Sequence, residues 1–371
     1  MKKIIQVAMI GVGCISGIYL KNISGLFREI HLLGVCDLIR ERAEKAQKDY
    51  NVPKLYETMY DAFADPEVDI VLNLTRPYEH YAVTKAALEA GKHVYSEKPL
   101  GASLAEGREL VALAEQKGLM LGGAPDTFLG AGIQTCRKLI EDGYIGAPIG
   151  TAAFMICRGH ESWHPDPDFY YQYGGGPMMD MGPYYLTAMV NLMGAIRRVN
   201  AATRRTFAKR MITSEPLAGT PIDVNVSTYV SGTVEYASGA LGTLFTTFDV
   251  HYPSQARFEV YGSEGTLLVP DPNTFGGPVR LYRPESKEIR ELPLVFDYQD
   301  NSRGLGLADM ANALRDGRRA RADYTQTFHV LEAIEGFETS GKTGQWTELS
   351  SASRFIPAPP MKKAIVPGVL D

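Results

Sequence analysis

Four short stretches of this chain carry residue types that do chemistry. His160-Glu161-Ser162-Trp163-His164 reads H-E-x-x-H, the spacing that sets two imidazoles and a carboxylate around zinc when it lies on a helix. Gly11-Val12-Gly13-Cys14-Ile15-Ser16 reads as a glycine turn, the kind that brings backbone N–H groups to a pyrophosphate. Glu97-Lys98-Pro99 sets an ammonium beside a carboxylate just after an apolar run. Asp180 and Tyr184 are four residues apart, so on a helix both face the same way.

The zinc pattern fails on context. Two histidines bind one metal from a helix that continues on either side. Here Gly159 and Pro165 bracket the segment, Pro167 follows, and an extended run precedes it, so it reads as a loop. No metal site is expected. The glycine turn passes the same test. It follows the apolar run 4–10 and opens a helical pattern at 15–26. Gly11 permits the tight turn and Gly13 the close backbone approach, while Ser16 takes the third, small position. Cys14 and Ile15 lie inside the turn and belong to the expected cofactor site. Asp37 ends the second apolar run, where a carboxylate accepts from both adenosine ribose hydroxyls and repels a 2′-phosphate. That favours NAD over NADP. Arg40 nearby pulls the other way, and Asp37 as a cap of the next helix is an alternative.

These residues need a scaffold, and the first third supplies one. Apolar runs at 4–10, 31–37, 68–74, 92–97 and 119–123 alternate with helical patterns at 15–26, 38–50, 80–91 and 103–118. Ser103 and Glu106 form a capping box, and Gly118 ends that helix. Buried strands alternating with helices make a parallel sheet covered on both faces, with ligands at the strands' carboxyl ends.

After about residue 124 the pattern changes. A helix over 127–143 leads into extended segments at 149–158, 197–209, 225–236, 240–250, 256–262, 265–269 and 279–283, with "ASGA" as a hairpin turn. Helical patterns at 303–316 and 324–340 close the chain. The expected second unit is α+β, with a large, mainly antiparallel open sheet. His329 falls on the inward stripe of the last helix and is expected to be a core histidine.

Bulk properties agree. With 371 residues the chain suits two domains, and 45% hydrophobic with 22% charged residues describes a globular protein. A net charge of −5 offers no nucleic-acid surface, and the basic stretch 197–205 reads as the exposed face of a strand. No apolar run approaches the ~18 residues of a membrane span. Four cysteines without C-x-x-C spacing suit a reduced, cytoplasmic setting.

The stretch 73–100 resembles the Gfo/Idh/MocA family of nicotinamide-dependent oxidoreductases, which act mainly on sugars, inositols and their derivatives. The family's T-P-P-x-x-H turn appears as Thr75-Arg76-Pro77-Tyr78-Glu79-His80, with Arg76 in place of the first proline. A-L-x-A-G-K-H-V spans Ala87–Val94, and E-K-P is Glu97-Lys98-Pro99. A second landmark, G-G-G followed by D-x-G-x-H, appears as Gly174-Gly175-Gly176 and Asp180-Met181-Gly182, with Tyr184 where relatives carry the histidine usually assigned as general base.

The resemblance implies a Rossmann dinucleotide-binding domain at 1–123 and a substrate-binding, oligomerisation domain at 124–371. It implies a homo-dimer or homo-tetramer through the second sheet, and a substrate bound between the domains. Thr75, Arg76, Pro77, His80, Glu97 and Lys98 are placed at the cofactor, with a cis peptide before Pro99. Lys98 and Asp180 then orient the reacting hydroxyl of a carbohydrate or cyclitol, burial being able to lower the lysine pKa into a proton relay. Tyr184 or His164 completes proton transfer, and Arg158 and Trp163 join His164 in contacting substrate. The expected activity is that of an NAD-dependent sugar or polyol dehydrogenase. A redox glycosidase working by oxidation and elimination, and a non-catalytic dinucleotide sensor, are the rival readings.

Overall fold

The computed structural model describes residues 3–251 and 257–361. In the first third the short apolar runs form strands and the amphipathic stretches between them form helices. The elements are β1 (Ile5–Ile10), α1 (Ser16–Gly25), β2 (Ile30–Cys36), α2 (Arg40–Tyr50), β3 (Lys54–Leu55), α3 (Met59–Ala64), β4 (Ile70–Asn73), α4 (His80–Glu89), β5 (His93–Ser96), α5 (Leu104–Lys117) and β6 (Leu121–Gly123). The strands make one parallel sheet in the order β3-β2-β1-β4-β5-β6. Both faces are buried. Val7, Met9, Ile70 and Leu72 enter one core cluster, while Ala8, Ile10, Val71 and Val94 enter another, so these strands show no polar alternation. The order reverses between β1 and β4, where the strand ends leave a crevice for a ligand.

Sequence patterns left β3 and α3 unassigned. The strand is two residues long, and the helix is one and a half turns held by a Thr58–Asp61 capping box. The box expected on α5 is half formed. Ser103 accepts from the Glu106 N–H, but the Glu106 carboxylate turns to the Ala102 N–H.

The chain continues through α6 (Ala131–Glu141), β7 (Pro148–Ile156), α7 (Pro177–Asp180), α8 (Gly182–Met193), β8 (Ile196–Arg204), β9 (Lys209–Met211), β10 (Pro221–Asp223), β11 (Tyr229–Tyr236) and β12 (Leu241–Thr247). It ends with β13 (Arg257–Gly262), β14 (Thr266–Val269), β15 (Val279–Tyr282), β16 (Ile289–Leu292), α9 (Leu305–Asp316), α10 (Tyr324–Thr343) and β17 (Thr347–Glu348). The second sheet runs β16-β15-β14-β13-β7-β12-β11-β8-β17 and is antiparallel except where β7 and β12 lie parallel. The strand expected over 256–262 is β13, with Ala256 outside the described residues. The segment expected to be extended through 197–209 breaks after Arg204, and β9 instead pairs with β10 as a separate hairpin. Arg197 and Arg198 of β8 both meet Glu235 of β11, so the basic stretch is a charge-matched sheet surface.

One face of the second sheet is covered by α8 and α10, and the other carries Phe154, Phe245 and Tyr229 in ring contacts. The chain then crosses back. Gly123 N–H donates to the Ala322 carbonyl and Gly122 bridges Asp323, so the segment after α9 covers the β6 edge of the first sheet. His329 is fully buried in α10. It accepts from the Ile196 N–H and meets Ser351 Oγ at 2.6 Å, and burial lowers its pKa to about 4. Among the described residues no helix is long and apolar enough to cross a membrane.

Candidate active site

At the cofactor end, Gly11 has φ +93°, and a side chain there would press within 2.8 Å of the Leu74 carbonyl, so only glycine fits. Gly13 is the opposite case: the space a Cβ would fill is open, leaving room for a ligand to reach the backbone. Ser16 closes the turn, its hydroxyl donating to the Gly13 carbonyl at 2.7 Å. Cys14 is exposed and Ile15 precedes α1. Asp37 accepts from the Val12 N–H at 2.6 Å and the Ile39 N–H at 2.8 Å, stitching the glycine turn to the end of β2. Arg40 is ion-paired to both Glu44 and Glu57.

The next turn follows β4. Thr75 donates from its N–H and hydroxyl to Asn73 Oδ1, and Pro77 opens a short 3₁₀ turn. His80 is buried with its ring nitrogens on the Pro99 carbonyl (2.7 Å) and the Thr75 carbonyl (3.0 Å), tying this turn to the one that carries Lys98. Glu97 is buried as well. It accepts from the Tyr19 hydroxyl at 2.7 Å and from the Lys98 N–H at 3.1 Å. The Lys98–Pro99 bond is cis.

Lys98 leaves the end of β5 and crosses to the second domain. Its Nζ donates to Asp180 Oδ1 and to the Asp180 carbonyl, both at 2.8 Å, and lies 5.3 Å from the centre of the Tyr184 ring. Burial alone would strip the lysine of its proton, but Asp180, Tyr184 and Glu97 outweigh it and hold the ammonium well above the ordinary lysine range. Burial likewise opposes the Asp180 charge, and Lys98 and His160 outweigh it, keeping that carboxyl well below its ordinary range. The lowered lysine pKa expected from burial is therefore reversed by the carboxylate beside it. Asp180 ends α7 and Tyr184 stands in the first turn of α8, so the pair straddles a helix break.

The loop after β7 closes the site. In HESWH the Trp163 and His164 N–H groups both return to the His160 carbonyl, making a single turn. The two imidazoles serve different partners. His160 Nε2 lies 3.0 Å from Asp180 Oδ2, whereas His164 Nδ1 accepts from the Asp166 N–H and its ring packs on Trp163, Phe169 and Tyr170. Burial lowers the His164 pKa. Trp163 is 61% exposed. Arg158 donates to His251 Nε2 at 2.6 Å and lies over Phe207. Arg76 donates to Asp166 at 2.8 Å and sits over Phe169, strapping the loop to the first domain.

Beneath the loop, the Arg210 guanidinium pairs with Glu161 and Asp249 and donates to the carbonyls of Arg158 and Phe248. The triple glycine lets the loop lie close: a side chain at Gly175 would come within 2.6 Å of the Phe169 and Tyr170 carbonyls.

Residues 5–123 match the family model described as an oxidoreductase family with an NAD-binding Rossmann fold, and residues 133–268 match the GFO/IDH/MocA C-terminal domain. The chain belongs to the Gfo/Idh/MocA oxidoreductase family. It is 23% identical over 351 residues to D-glucoside 3-dehydrogenase of Escherichia coli, covering 93% of this chain and 97% of that one. It is 24% identical over 263 residues to myo-inositol 2-dehydrogenase of Thermotoga maritima, covering 71% and 74%. Levoglucosan dehydrogenase in complex with NADH and levoglucosan shares the fold at a TM-score of 0.80 with 18% identity, covering 94% of this chain and 100% of that one. The first domain is thus the NAD-binding domain of an oxidoreductase, and the open cradle at Gly13 fits a dinucleotide.

The structure gathers Lys98, Asp180 and Tyr184 at one point, with Glu97 and His80 behind the lysine. Asp37 and Arg40 lie apart from them, between β2 and the start of α2. Three groups escaped the sequence reading. His160 was weighed only as half of a zinc pattern. Arg210 had no local signal. Arg303, 5.9 Å from the Tyr184 ring, stood at the start of the expected helix over 303–316 with no local signal of a role.

Proposed function

We propose that this chain is an NAD-dependent dehydrogenase that oxidises a secondary hydroxyl of a sugar, glycoside or cyclitol to a ketone, or catalyses the reverse. The observation that carries the reading is the Lys98–Asp180 pair, contributed by different domains and joined at 2.8 Å past the end of β5. NAD, when bound, supplies the hydride acceptor. The Lys98 ammonium donates to the reacting oxygen and stabilises its alkoxide character, while Asp180 fixes the ammonium in place. Tyr184, against Lys98, and His164, in the loop, are two groups able to serve the proton path. Trp163 offers an exposed face for stacking on a sugar ring, while Arg158, the other expected contact, is engaged with His251 and Phe207.

NAD is favoured over NADP because a carboxylate at the end of β2, Asp37, would repel a 2′-phosphate, and Arg40 is already neutralised by two glutamates. The names of the relatives support a carbohydrate or cyclitol substrate. The uncovered sheet face around Phe154 and Phe245 supports a homo-dimer or homo-tetramer, and four free thiols support a cytoplasmic setting.

An NAD-reduction screen over monosaccharides, glycosides and inositols tests the reading, followed by Lys98→Ala and His164→Ala on any substrate found. Net NADH formation that disappears in Lys98→Ala supports it. Aglycone release without net NADH marks oxidation and elimination instead, and NAD binding without turnover marks a sensor.

A further inference from the structure

The reaction needs a group that takes the hydroxyl proton, and neither half of the central pair is suited to it. Lys98 is held as the ammonium and Asp180 as its carboxylate partner. Of the nearby groups, His164 has its Nδ1 taken by the Asp166 N–H, whereas His160 is paired directly with Asp180. We infer that His160 is the general base of the site, with Asp180 holding its Nε2–H and its Nδ1 lone pair left free to take the proton. This rests on the dehydrogenase reading above.

The geometry is that of a carboxylate-oriented imidazole. Asp180 Oδ2 lies 3.0 Å from His160 Nε2, while Oδ1 is taken by Lys98, so the carboxylate fixes both groups at once. A carboxylate only accepts, so Nε2 carries the hydrogen and Nδ1 the lone pair. Nδ1 has no hydrogen-bond partner among the described residues. The ring is wedged between Tyr170, 4.0 Å away centre to centre, and Phe248, 4.7 Å away, with Trp163 edge-on at 5.2 Å. The backbone next to it is anchored by Glu161 on Arg210. HESWH is thus a base-bearing turn, with the neighbouring carboxylate used as an anchor rather than as a ligand.

In the oxidation direction, the hydroxyl O–H bond breaks and its proton goes to Nδ1. The carbinol C–H bond breaks with both electrons, which leave as the hydride that NAD accepts, and the C=O bond forms. His160 becomes an imidazolium paired with Asp180 and returns its proton to solvent.

Three variants of the full-length enzyme test this: His160→Ala, His160→Gln and Lys98→Ala. Glutamine keeps an N–H donor for Asp180 but has no base. Both His160 variants should lose about 10²–10³-fold in kcat with NADH affinity unchanged. Added imidazole should restore His160→Ala at least about tenfold and leave His160→Gln unmoved. Near wild-type turnover in His160→Gln would reduce His160 to a strut and overturn the inference. Lys98→Ala separates the two claims, because undiminished turnover there removes the role given to Lys98 and leaves the His160 result standing on its own. A readout without turnover stands beside these. ¹⁵N spectra of the protein alone should show His160 as the Nε2–H tautomer, changed in Asp180→Asn, and an Nδ1–H tautomer in the wild type would refute the assignment.

Discussion

On the first-domain side of the cleft, Lys98 is fixed by groups that belong to the strand ends. His80 bridges two turns of the sheet, Glu97 is the adjacent residue, and Tyr19 comes from the helix after the glycine turn. On the second-domain side, His160 sits in a loop with no regular structure. That loop is held by a buried arginine between two carboxylates and by a strap, Arg76–Asp166, to the other domain. The Lys98 side is therefore built into the sheet, whereas the His160 side hangs on a loop pinned by charge. Such a division separates a fixed scaffold from a loop that can vary without disturbing it.

The contrast can be broken at four points, in descending order of effect. Lys98→Ala should lower kcat by about 10³-fold while NADH titration by fluorescence stays within a few-fold of wild type, because the sheet side is rigid without it. Arg210→Met leaves Glu161 and Asp249 buried without a counter-charge, and urea unfolding should report a loss of about 3–5 kcal/mol. Asp37→Ser combined with Glu57→Gln removes the carboxylate at the end of β2 and one of the two partners of Arg40, leaving Glu44. The NADP-to-NAD ratio of kcat/KM should rise about 10²-fold. Arg76→Ala breaks an exposed pair worth about 0.2–1 kcal/mol, so stopped-flow should show NADH leaving no more than about fivefold faster.

The smallest expected effect comes from pH. Asp180 has its folded pKa depressed, so its stabilisation is complete above the ordinary carboxylate range and is lost as pH falls through the depressed value. Lys98 has its folded pKa raised, so its stabilisation is complete below the ordinary lysine range and is lost only as pH rises through the raised value. Between about pH 5 and 9 the pair contributes no slope. Because Asp180 also holds His160, the comparison is made in a His160→Gln background, where adding Lys98→Ala/Asp180→Asn should leave the pH dependence of urea unfolding unchanged across that window. A differing slope would mean the pair is not formed.

The same contrast explains what the sequence revealed. The glycine turn, Asp37 and Glu97-Lys98-Pro99 are legible because each acts through backbone position at a strand end, and strand ends follow from short apolar runs. The meeting of Lys98 with Asp180 was also legible, through a family landmark in each domain. His160 was not, because its meaning depends on a carboxylate that reaches it only after the loop folds over the triple glycine. Arg210 lies on a hairpin strand that exists only because the stretch after Arg204 leaves the main sheet. The parallel pairing of β7 with β12 is another non-local outcome, since alternation along a strand does not say which neighbour it takes.

The most direct test follows the hydrogen itself. With a substrate from the screen deuterated at the carbinol carbon, single-turnover mass spectrometry of the nicotinamide should show one deuterium transferred by the wild type. Lys98→Ala, still binding NAD, should transfer at least about 10³-fold more slowly. Transfer at the wild-type rate in that variant, or a nicotinamide that gains its hydrogen from solvent, would contradict the account.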